Sequence, residues 1–402
     1  MYVAFSNEIK NNLKLKAIVK SEIHLRTPLI YISGIYRSGT TLLARLLNAE
    51  AKIASASDPI RPFFNGYRSQ LEYELTGEVT NKYFRPLNDY YKGDQNYLEK
   101  LVASNFSENI ELKDPYLLRR EIYQAAMPFS KSFVEALRKE KRSVGIKWVD
   151  ELDLYLRIIH SVYGSQYTKV IAFKEVWAIE MAFPLFNLYG KNMNLVSLIR
   201  DPRSILASSK KAAGNYPIVY LARQWRKHIM FSYFLKQMFP KNVHLVYYED
   251  LCTRPKEVYL ETFSPIMRNV GENITNIPKA KSEEGKLWKQ NSSFSTCTTG
   301  EVTSNSLDSW RDTLNEDEID WINYLTYQNF EKKYIQSVSH PTNPYPRRSP
   351  KQVSEWMQIF LNHYEGEKNI QTILQDEKMR AESILNSENA NTISLSSLIN
   401  HV

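Results

Sequence analysis

Short apolar runs alternate along the chain with longer stretches of helical periodicity. The runs are rich in branched apolar residues and have the length of buried strands. They are Leu29–Ser33, Val170–Phe173, Leu195–Ile199 and Val243–Tyr247. Strands that are separated by helical stretches pair in parallel, with helices packed on the sheet. The pattern therefore predicts an α/β fold, a three-layer α/β/α sandwich with a central parallel sheet.

Helices are predicted to follow two of these strands. Gly39–Ala49 follows the first strand and places its leucines on one face. Asp201 and Pro202 open a helix after the third strand, because Asp suits the N-cap and Pro suits the first helical position. The polar, tyrosine-rich segment Arg61–Glu99 is expected to form helices and lids over a site.

The composition changes near His340, where four prolines follow within ten residues. Prolines at this density break regular structure. Beyond them, Gln352–Leu385 regains helical periodicity, and the last residues are rich in Asn and Ser. We therefore divide the chain into one α/β domain, residues 1–340, and a helical, partly disordered C-terminal extension, residues 341–402.

The 402-residue chain carries a formal net charge of +8, which is dispersed along the sequence. Dispersed charge favours a solvated surface over nucleic acid as a partner. Cys252 and Cys297 form neither a metal-ligand spacing nor a disulfide framework, which indicates free thiols in a reducing compartment. Residues 1–26 lack the apolar core of a signal peptide, and no stretch suits a membrane span. We expect a cytoplasmic protein without a transmembrane segment, and its oligomeric state stays open.

Residues Gly34–Thr41 form a candidate anion-binding loop with the sequence Gly-Ile-Tyr-Arg-Ser-Gly-Thr-Thr. The loop follows a predicted strand and opens a predicted helix, as a P-loop does, so the sandwich is predicted to be of the P-loop type. Its glycines let backbone N–H groups face a phosphate, and the helix N-terminus and the hydroxyl groups add to the attraction. The alternative is a strand-to-helix turn without a ligand.

A kinase or NTPase is a weaker interpretation of this loop. Thr40 stands where such an enzyme has its lysine, and Arg37 supplies the cation instead. The enzyme would also need a metal ion, held in part by an Asp at the end of an apolar strand. The sequence offers no convincing apolar run that ends in a lone Asp. We therefore expect no metal site.

A second anion site is predicted after the third strand. Arg200 stands where the strand becomes a helix, at the carboxyl edge that holds ligands in open α/β sheets. Ser208 lies two turns along the same helix. The guanidinium group can bind a phosphate in a bidentate manner, and the hydroxyl group can donate to it. Taken alone, however, the segment fits a buried Arg–Asp cap, with Ser208 as a helix filler, better than an anion site.

Together the two segments resemble the 5′-phosphosulfate loop and the 3′-phosphate motif of sulfotransferases that use 3′-phosphoadenosine 5′-phosphosulfate (PAPS). The likeness is closest to Golgi-type carbohydrate sulfotransferases and covers residues 28 to 335 approximately. The first two matching segments are Tyr36–Thr41 and Arg200–Arg203 with Ser208. The others, in the order of the family, are Phe173–Glu175, Asn194–Ser208, Tyr248–Leu251, Trp288 with Asn291–Phe294, and Ser306 with Trp310, Arg311 and Leu314.

The resemblance implies a sulfotransferase domain in residues 1–340, with PAPS as co-substrate and a hydroxyl-bearing acceptor, a carbohydrate or a small molecule. The residues that would hold the 5′-phosphosulfate are Gly34, Arg37, Ser38, Gly39, Thr40 and Thr41. Those that would hold the 3′-phosphate are Arg200 and Ser208. Arg311 and Lys286 are further candidates at the 3′-phosphate end.

Asp58 is the candidate catalytic base. In-line sulfuryl transfer requires that the acceptor hydroxyl lose a proton, while Arg37 stabilises the leaving phosphate oxygen. Carbohydrate members of the family have a Glu-Pro pair beyond the loop, and the corresponding pair here is Asp58-Pro59. Because Asp is one methylene shorter than Glu, the acceptor or the backbone must lie closer. The alternative is an Asx-turn residue before a proline.

Other residues compete for the role of base. Glu175 lies at the end of a predicted strand and could accept the proton or orient the acceptor. Cytosolic members of the family use a histidine. Here, however, His160 on an apolar helix fits a core histidine, and His228 after a cationic run fits a solvated helix face.

Aromatic residues could stack on a sugar ring or an aromatic acceptor, although the core of a lid is the preferred interpretation. They are Phe63, Phe64, Trp148 and the tyrosines of Tyr67–Tyr91. For Lys147 and Trp148, a strand edge is the simpler alternative to contact with an acceptor. A catalytically inactive binding protein on the same fold is the remaining alternative function, beside the kinase or NTPase.

Overall fold

The structure is a computed structural model, and it describes residues 27–77, 100–107, 110, 112–140, 147–212, 216, 218–283, 285–288, 299–326, 375, 377 and 378. Its strands are β1 (Leu29–Gly34), β2 (Ile53–Ser57), β3 (Val170–Val176), β4 (Met193–Ile199) and β5 (Val243–Tyr247). Within the described residues they form one 5-stranded sheet in the order β2-β3-β1-β4-β5. Every pairing is parallel. The predicted α/β fold with a central parallel sheet is confirmed.

β2 and the end of β3 were not predicted from the apolar runs. β2 has the sequence Ile-Ala-Ser-Ala-Ser, whose small and polar residues carry little apolar signal although all of them are buried. β3 continues beyond Phe173 through Lys174 and Glu175, which are both buried. Its ladder with β1 also continues, since Lys174 is opposite Ile32 and Glu175 is opposite Ser33. Backbone pairing therefore extends the strand past the point where its side chains become charged.

At least one helix lies between each pair of consecutive strands, as in an α/β sandwich. The helices are α1 (Thr40–Leu47), α2 (Arg61–Thr76), α3 (Pro115–Ala126), α4 (Lys131–Lys139), α5 (Trp148–Tyr163), α6 (Ala182–Tyr189), α7 (Pro202–Lys211), α8 (Ile218–Met238), α9 (Tyr248–Thr253), α10 (Pro255–Arg268) and α11 (Glu316–Thr326). Asp201 is the N-cap of α7, as predicted, and its side chain accepts from the N–H of Arg203 at 2.8 Å.

Apolar side chains of β1 alternate between the two faces of the sheet. Ile30 and Ile32 pack into a core with α1 and α10. Leu29 and Tyr31 pack on the opposite side, into a larger core that includes residues of α2, α5, α6 and α8. Helices on both faces of the sheet make the three layers of the predicted sandwich.

The aromatic side chains proposed as lid or acceptor contacts lie inside this larger core. Phe63, Phe64 and Tyr67 on α2 are fully buried, and the Phe63 ring lies 5.3 Å from that of Trp148. They therefore form core rather than a surface for an acceptor. The strand-edge alternative for Trp148 is wrong, since this residue begins α5 after Lys147 as its N-cap. Residues 78–99, the rest of the proposed lid segment, lie outside the described residues.

The C-terminal extension is represented by residues 375, 377 and 378. The proposed domain boundary at residue 340 and the helical character of residues 341–402 therefore stay predictions. The match proposed for Asn291–Phe294 and the thiol of Cys297 also lie outside the described residues, whereas Cys252 is a buried free thiol. Among the helices that the structure describes, none combines the length and the apolar composition needed to cross a membrane.

Candidate active site

The carboxyl edge of the sheet brings the candidate residues together. Gly34 ends β1, Asp58 follows β2, Trp177 follows β3 and Arg200 follows β4. Because the strands are parallel, their carboxyl ends share one edge, which is the usual ligand crevice of open α/β sheets. The two predicted anion sites and the predicted base are thus neighbours by topology.

Two glycines allow the tight course of the loop after β1. A Cβ atom on Gly34 would lie 2.5 Å from the Ser38 hydroxyl oxygen, and one on Gly39 would lie 2.5 Å from the ring of Tyr248. Gly39 also has a left-handed backbone, with a φ of 99°. The Ser38 hydroxyl donates to the carbonyl of Ile35 at 2.7 Å and so closes the turn. The backbone of the loop can therefore approach an anion closely.

The hydroxyl residues of the loop differ in what they can offer a ligand. The hydroxyl and the backbone N–H of Ser38 both donate to the carbonyl of Ile35, at 2.7 and 3.1 Å, so Ser38 closes the loop. Thr40 and Thr41 are the first two residues of α1. The N–H groups of a first helical turn have no partner within the helix and carry partial positive charge. The N–H groups of Thr40 and Thr41 are thus the candidate donors of this loop to an anion.

A chain of hydrogen bonds joins the two predicted anion sites. The Nε of Arg37 donates to the hydroxyl oxygen of Ser208 at 2.8 Å. The guanidinium group of Arg200 donates to the backbone carbonyl of Arg37 at 2.8 Å. Burial lowers the pKa of Arg37, and the charge of Arg200 lowers it further. An anion placed between the two guanidinium groups would offset this repulsion.

Arg200 is supported from two sides, and one of its donors remains available. Its guanidinium carbon lies 4.2 Å from the centre of the Tyr248 ring. The indole Nε1 of Trp225 donates to the backbone carbonyl of Arg200 at 2.9 Å. The Nε of Arg200 is buried without a hydrogen-bond partner among the described residues. A buried, unsatisfied donor at this edge fits an anionic ligand.

The neighbours of Arg200 have structural partners. Arg203 binds the carboxylate of Asp201 through three contacts of 2.5 to 3.1 Å. Glu249, in the segment Tyr248–Leu251, accepts from the N–H of Asp201 at 2.9 Å. This segment therefore holds the turn that presents Arg200. The Arg–Asp cap considered from the sequence is present, but Arg203 rather than Arg200 forms it.

The two further candidates for the 3′-phosphate end lie apart from this chain of contacts. Arg203 and Arg311 stack on the same Trp310 ring, with their guanidinium carbons 4.2 Å and 4.4 Å from its centre. The exposed Arg311 also donates to Asp308 at 3.3 Å. Lys286 lies in the turn between Lys281 and Leu287, which form an isolated antiparallel bridge. Arg311 is thus brought next to α7 through Trp310, whereas Lys286 belongs to a separate turn.

Asp58 follows β2 with a left-handed backbone, at a φ of 51°. Its N–H donates to the carbonyl of Lys174 at 2.7 Å, and its carboxylate pairs with the ammonium group of Lys174. Its Oδ1 is buried and has no hydrogen-bond partner among the described residues. The Asx-turn alternative is not what forms here, because the N–H of Ile60, two residues on, donates to Glu175 instead. Asp58 therefore presents a carboxylate oxygen that the fold itself does not use.

Glu175 is fully buried, and its Oε1 accepts from the N–H of Ile60 at 2.5 Å. Burial raises the pKa of Glu175 well above its ordinary value, and the neighbouring charge of Asp58 raises it further. The Oε2 of Glu175, like the Oδ1 of Asp58, is buried without a hydrogen-bond partner among the described residues. Glu175 therefore braces the Asp58 turn through Ile60, and both carboxyl groups stay candidates for the base.

Lys174 and Trp177 are candidate functional residues that the sequence reasoning did not single out. Lys174 is 3% exposed, although lysine is rarely buried without a partner. Trp177 has a φ of 72°, and its ring stacks on Tyr36, with centroids 6.2 Å apart. The predicted strand ended at Phe173, and the structure instead places Lys174 inside β3. A charged residue there needs a buried partner, and the sequence does not show which residue provides it.

The two histidines considered from the sequence, His160 and His228, lie on α5 and α8. The prediction that His228 lies on a solvated helix face is wrong, because it is 3% exposed. Its Nε2 lies 2.9 Å from the hydroxyl oxygen of Ser197. Burial lowers the pKa of His228 to about 3, so the ring is neutral. His160 is half-buried on α5.

No group of three or more His, Cys, Asp or Glu side chains that could hold a metal ion occurs in the described part of the chain. The carboxylates at the carboxyl edge are engaged by cations and by backbone N–H groups of the protein. Asp58 binds Lys174, Asp201 binds Arg203, and Glu249 binds the N–H of Asp201.

A family model described as Sulfotransferase family matches residues 28–259. The matched region covers more than half of the chain and includes β1 to β5, the loop after β1, Asp58, Arg200 and Ser208. No curated protein matches the chain significantly.

Two solved structures are similar to the chain at low identity. The sulfotransferase domain of the olefin synthase from Synechococcus PCC 7002 is 17% identical, with a TM-score of 0.40, over 78% of this chain and 99% of that domain. The sulfotransferase STF9 from Mycobacterium avium is 13% identical, with a TM-score of 0.29, over 65% of this chain and 67% of that protein. At these scores the two likenesses add nothing to what the family match shows.

Proposed function

The chain belongs to the sulfotransferase family, and from this we propose that it transfers a sulfuryl group from PAPS to a hydroxyl group, with a carbohydrate as the favoured acceptor. The observation that carries the proposal is the chain of contacts that joins Arg37, Ser208 and Arg200. A donor with a 5′-phosphosulfate and a 3′-phosphate needs two adjacent anion sites. The carboxyl edge of this sheet has two such candidate sites in direct contact.

Donor binding is assigned to two groups of residues. The loop from Gly34 to Thr41 would hold the 5′-phosphosulfate through its backbone N–H groups, the hydroxyls of Thr40 and Thr41, and Arg37. Arg200, with its unsatisfied Nε, and Ser208 would hold the 3′-phosphate. The Arg37–Ser208 hydrogen bond holds these two side chains next to each other, as the two anionic ends of the donor would require.

Asp58 and Arg37 would perform the chemical step. Oδ1 of Asp58 would accept the proton of the acceptor hydroxyl, because this oxygen is at the edge and has no other partner in the described structure. The acceptor oxygen forms a bond to sulfur as the bond from sulfur to the 5′-phosphate oxygen breaks. Arg37 would stabilise the charge that develops on this leaving oxygen. The products are a sulfate ester and adenosine 3′,5′-bisphosphate.

Lys174 holds the short side chain of Asp58 in a fixed position. Aspartate reaches one methylene less far than the glutamate of the carbohydrate members. The ion pair with Lys174 and the backbone bond between the two residues hold Asp58 against β3. We assign Lys174 the role of a positioning residue, which fixes the direction of the Asp58 carboxylate.

The choice of a carbohydrate acceptor rests on the resemblance to Golgi-type carbohydrate sulfotransferases. The residues that could contact a sugar ring differ from those expected from the sequence, since Phe63, Phe64 and Trp148 lie in the core. Tyr36, which is half-buried beside Arg37 and stacks on the buried Trp177, is better placed at the edge. The cytoplasmic location expected from the sequence stays a prediction.

Transfer of radiolabelled sulfate from PAPS to a panel of carbohydrates and small hydroxyl compounds tests the proposal. We expect incorporation with the wild-type protein and almost none with Arg37→Ala. Calorimetry with adenosine 3′,5′-bisphosphate, and with ATP and magnesium, separates the alternatives. Preferential binding of ATP with magnesium would indicate a kinase or NTPase. Binding of the bisphosphate without turnover of any acceptor would indicate an inactive binding protein.

A further inference from the structure

One residue of the C-terminal segment is buried against α8. The carboxylate of Glu377 accepts from the Nε of Arg223 at 2.9 Å and from two nitrogens of Arg226 at 2.9 and 3.2 Å. Glu377 is 2% exposed, Arg223 is 8% exposed and Arg226 is 1% exposed. Residues three apart on a helix share a face. One turn of α8 therefore presents two guanidinium groups to a single carboxylate.

The charges in this cluster depend on one another. Arg226 also donates to the backbone carbonyl of Leu325, near the end of α11, so the cluster joins α8, α11 and the C-terminal segment. Two buried cations on one helical turn repel each other and lose their hydration. The carboxylate of Glu377 compensates part of that cost. Removing the charge of Glu377 would take away this contribution, and removing one partner of a buried ion pair is destabilising.

The same turn of α8 supports the candidate active site. Trp225, next to Arg226, donates to the backbone carbonyl of Arg200 at 2.9 Å. Lys227 donates to the backbone carbonyl of Trp177 at 2.8 Å and to Glu180 at 3.1 Å. Consecutive residues of one turn of α8 thus contact Glu377 and the loops after β3 and β4. A displacement of this turn would move both loops.

We infer that Glu377, by docking on Arg223 and Arg226, positions the turn of α8 that supports Arg200. Glu377 belongs to the same chain as α8, so the contact is intramolecular. The docking is independent of the proposed function. The effect on Arg200 rests on that function, because it is read out through binding of adenosine 3′,5′-bisphosphate. Glu377 would then contribute to the unit that binds the donor.

The substitution Glu377→Gln, made in the full chain, tests the docking. It keeps the size of the side chain and removes the charge, so we expect a melting temperature lower by about 5–10 °C. Gln375→Ala, at an exposed position of the same segment, is the matched control and should melt within about 1 °C of the wild type. Exchange of the charges, with Glu377→Arg and Arg223→Glu combined, should recover part of the loss. A melting temperature of Glu377→Gln equal to that of the control would overturn the inference.

Calorimetric titration with adenosine 3′,5′-bisphosphate, at a temperature where all variants are folded, tests the positioning. We expect Glu377→Gln to bind the bisphosphate about tenfold more weakly and Glu377→Asp, which keeps the charge, to bind with an affinity between the two. If Glu377→Gln does not fold, Glu377→Asp takes its place in the titration. Lower stability with unchanged affinity would overturn the positioning and leave the docking. If the wild type does not bind the bisphosphate, the proposed function fails, and the melting temperatures alone decide on the docking.

Discussion

The ammonium group of Lys174 on β3 pairs with the carboxylate of Asp58 at the end of β2, and both side chains are buried. A second contact joins the same residues, from the N–H of Asp58 to the carbonyl of Lys174 at 2.7 Å. The carboxylate is therefore fixed to the neighbouring strand by its side chain and by its backbone. Its Oδ1 remains as the oxygen that can meet an acceptor hydroxyl.

Replacement of Asp58 by Asn removes the proposed base and keeps the shape of the side chain. We expect kcat to fall by about 10²–10⁴-fold, the usual contribution of a general base. The affinity for adenosine 3′,5′-bisphosphate should stay near that of the wild type, because neither anion site includes Asp58. Steady-state sulfate transfer and calorimetry measure the two quantities. Undiminished turnover by Asp58→Asn would assign the base to another residue.

Replacement of Lys174 by Met leaves the carboxylate of Asp58 buried without its cation. We expect the free energy of unfolding to fall by about 3–5 kcal/mol, as when one partner of a buried ion pair is removed. The control is Lys131→Met, since Lys131 and Glu135 form an exposed pair at 3.8 Å. Such a surface pair contributes about 1 kcal/mol or less. Denaturation by urea measures both, and equal effects would contradict a structural role for the Lys174 pair.

The proposed positioning role of Lys174 has a separate readout. If Lys174 directs the Asp58 carboxylate, kcat should fall in Lys174→Arg, which keeps the charge but changes the geometry, while the affinity for the bisphosphate stays unchanged. A fall in stability without any change in kcat would mean that the pair serves the fold alone.

Replacement of Arg200 by Ala should mainly weaken donor binding. Hydrogen bonds to charged groups contribute about 1.5–3 kcal/mol, which corresponds to about 10- to 150-fold in the dissociation constant of the bisphosphate. Arg311→Ala is the matched control, because Arg311 is an exposed arginine that stacks on Trp310 beyond α7. Calorimetry at one salt concentration compares the two variants. An equal or larger loss for Arg311→Ala would move the 3′-phosphate site towards Trp310.

The buried carboxyl group of Glu175 makes stability depend on pH. Its pKa is raised in the folded protein, so folding favours the protonated form. The contribution is fully present below the unfolded pKa, about 4.3, and is lost as the pH rises towards the folded pKa. Asp58 adds to the shift, while the N–H of Ile60 and the charges of Arg61 and Lys174 oppose it.

Glu175→Gln imitates the neutral acid and can still accept from the N–H of Ile60. We therefore expect the variant to gain stability relative to the wild type as the pH rises from 5 to 8, by at most about 1.4 kcal/mol per pH unit. Urea denaturation of both proteins at several pH values measures the difference. A difference that does not change with pH would show that Glu175 is ionised in the folded protein.

The sequence predicted correctly those features that depend on neighbouring residues in the chain. Consecutive residues determine the strand, loop and helix around Gly34–Thr41, and likewise the Asp201 cap. The structure places both as predicted. β2 was missed because its small side chains are buried by neighbouring elements rather than by their own hydrophobicity. Sequence periodicity reports what a segment prefers, whereas tertiary packing decides what it buries.

The charged contacts could not be predicted for a different reason. Lys174 meets Asp58, and Arg226 meets Glu377, across long stretches of chain. A run of cationic residues predicts a solvated helix face when no buried partner is known. For this reason His228 and its cationic neighbours on α8 were predicted to be exposed, although they are buried. The cost of burying a charge is visible in the sequence, but the residue that offsets it is set by topology.

Arg37, Asp58 and Trp177 follow β1, β2 and β3, and each has a left-handed backbone although none is glycine. Each such residue costs about 1 kcal/mol or more of conformational energy. Glycine at Asp58 would relieve this strain but unpair the buried Lys174, and glycine at Trp177 would leave a cavity in the core. At Arg37, in contrast, glycine would relieve the strain at the expense of the proposed donor site, so resistance to heat and the proposed activity are in opposition at this one position.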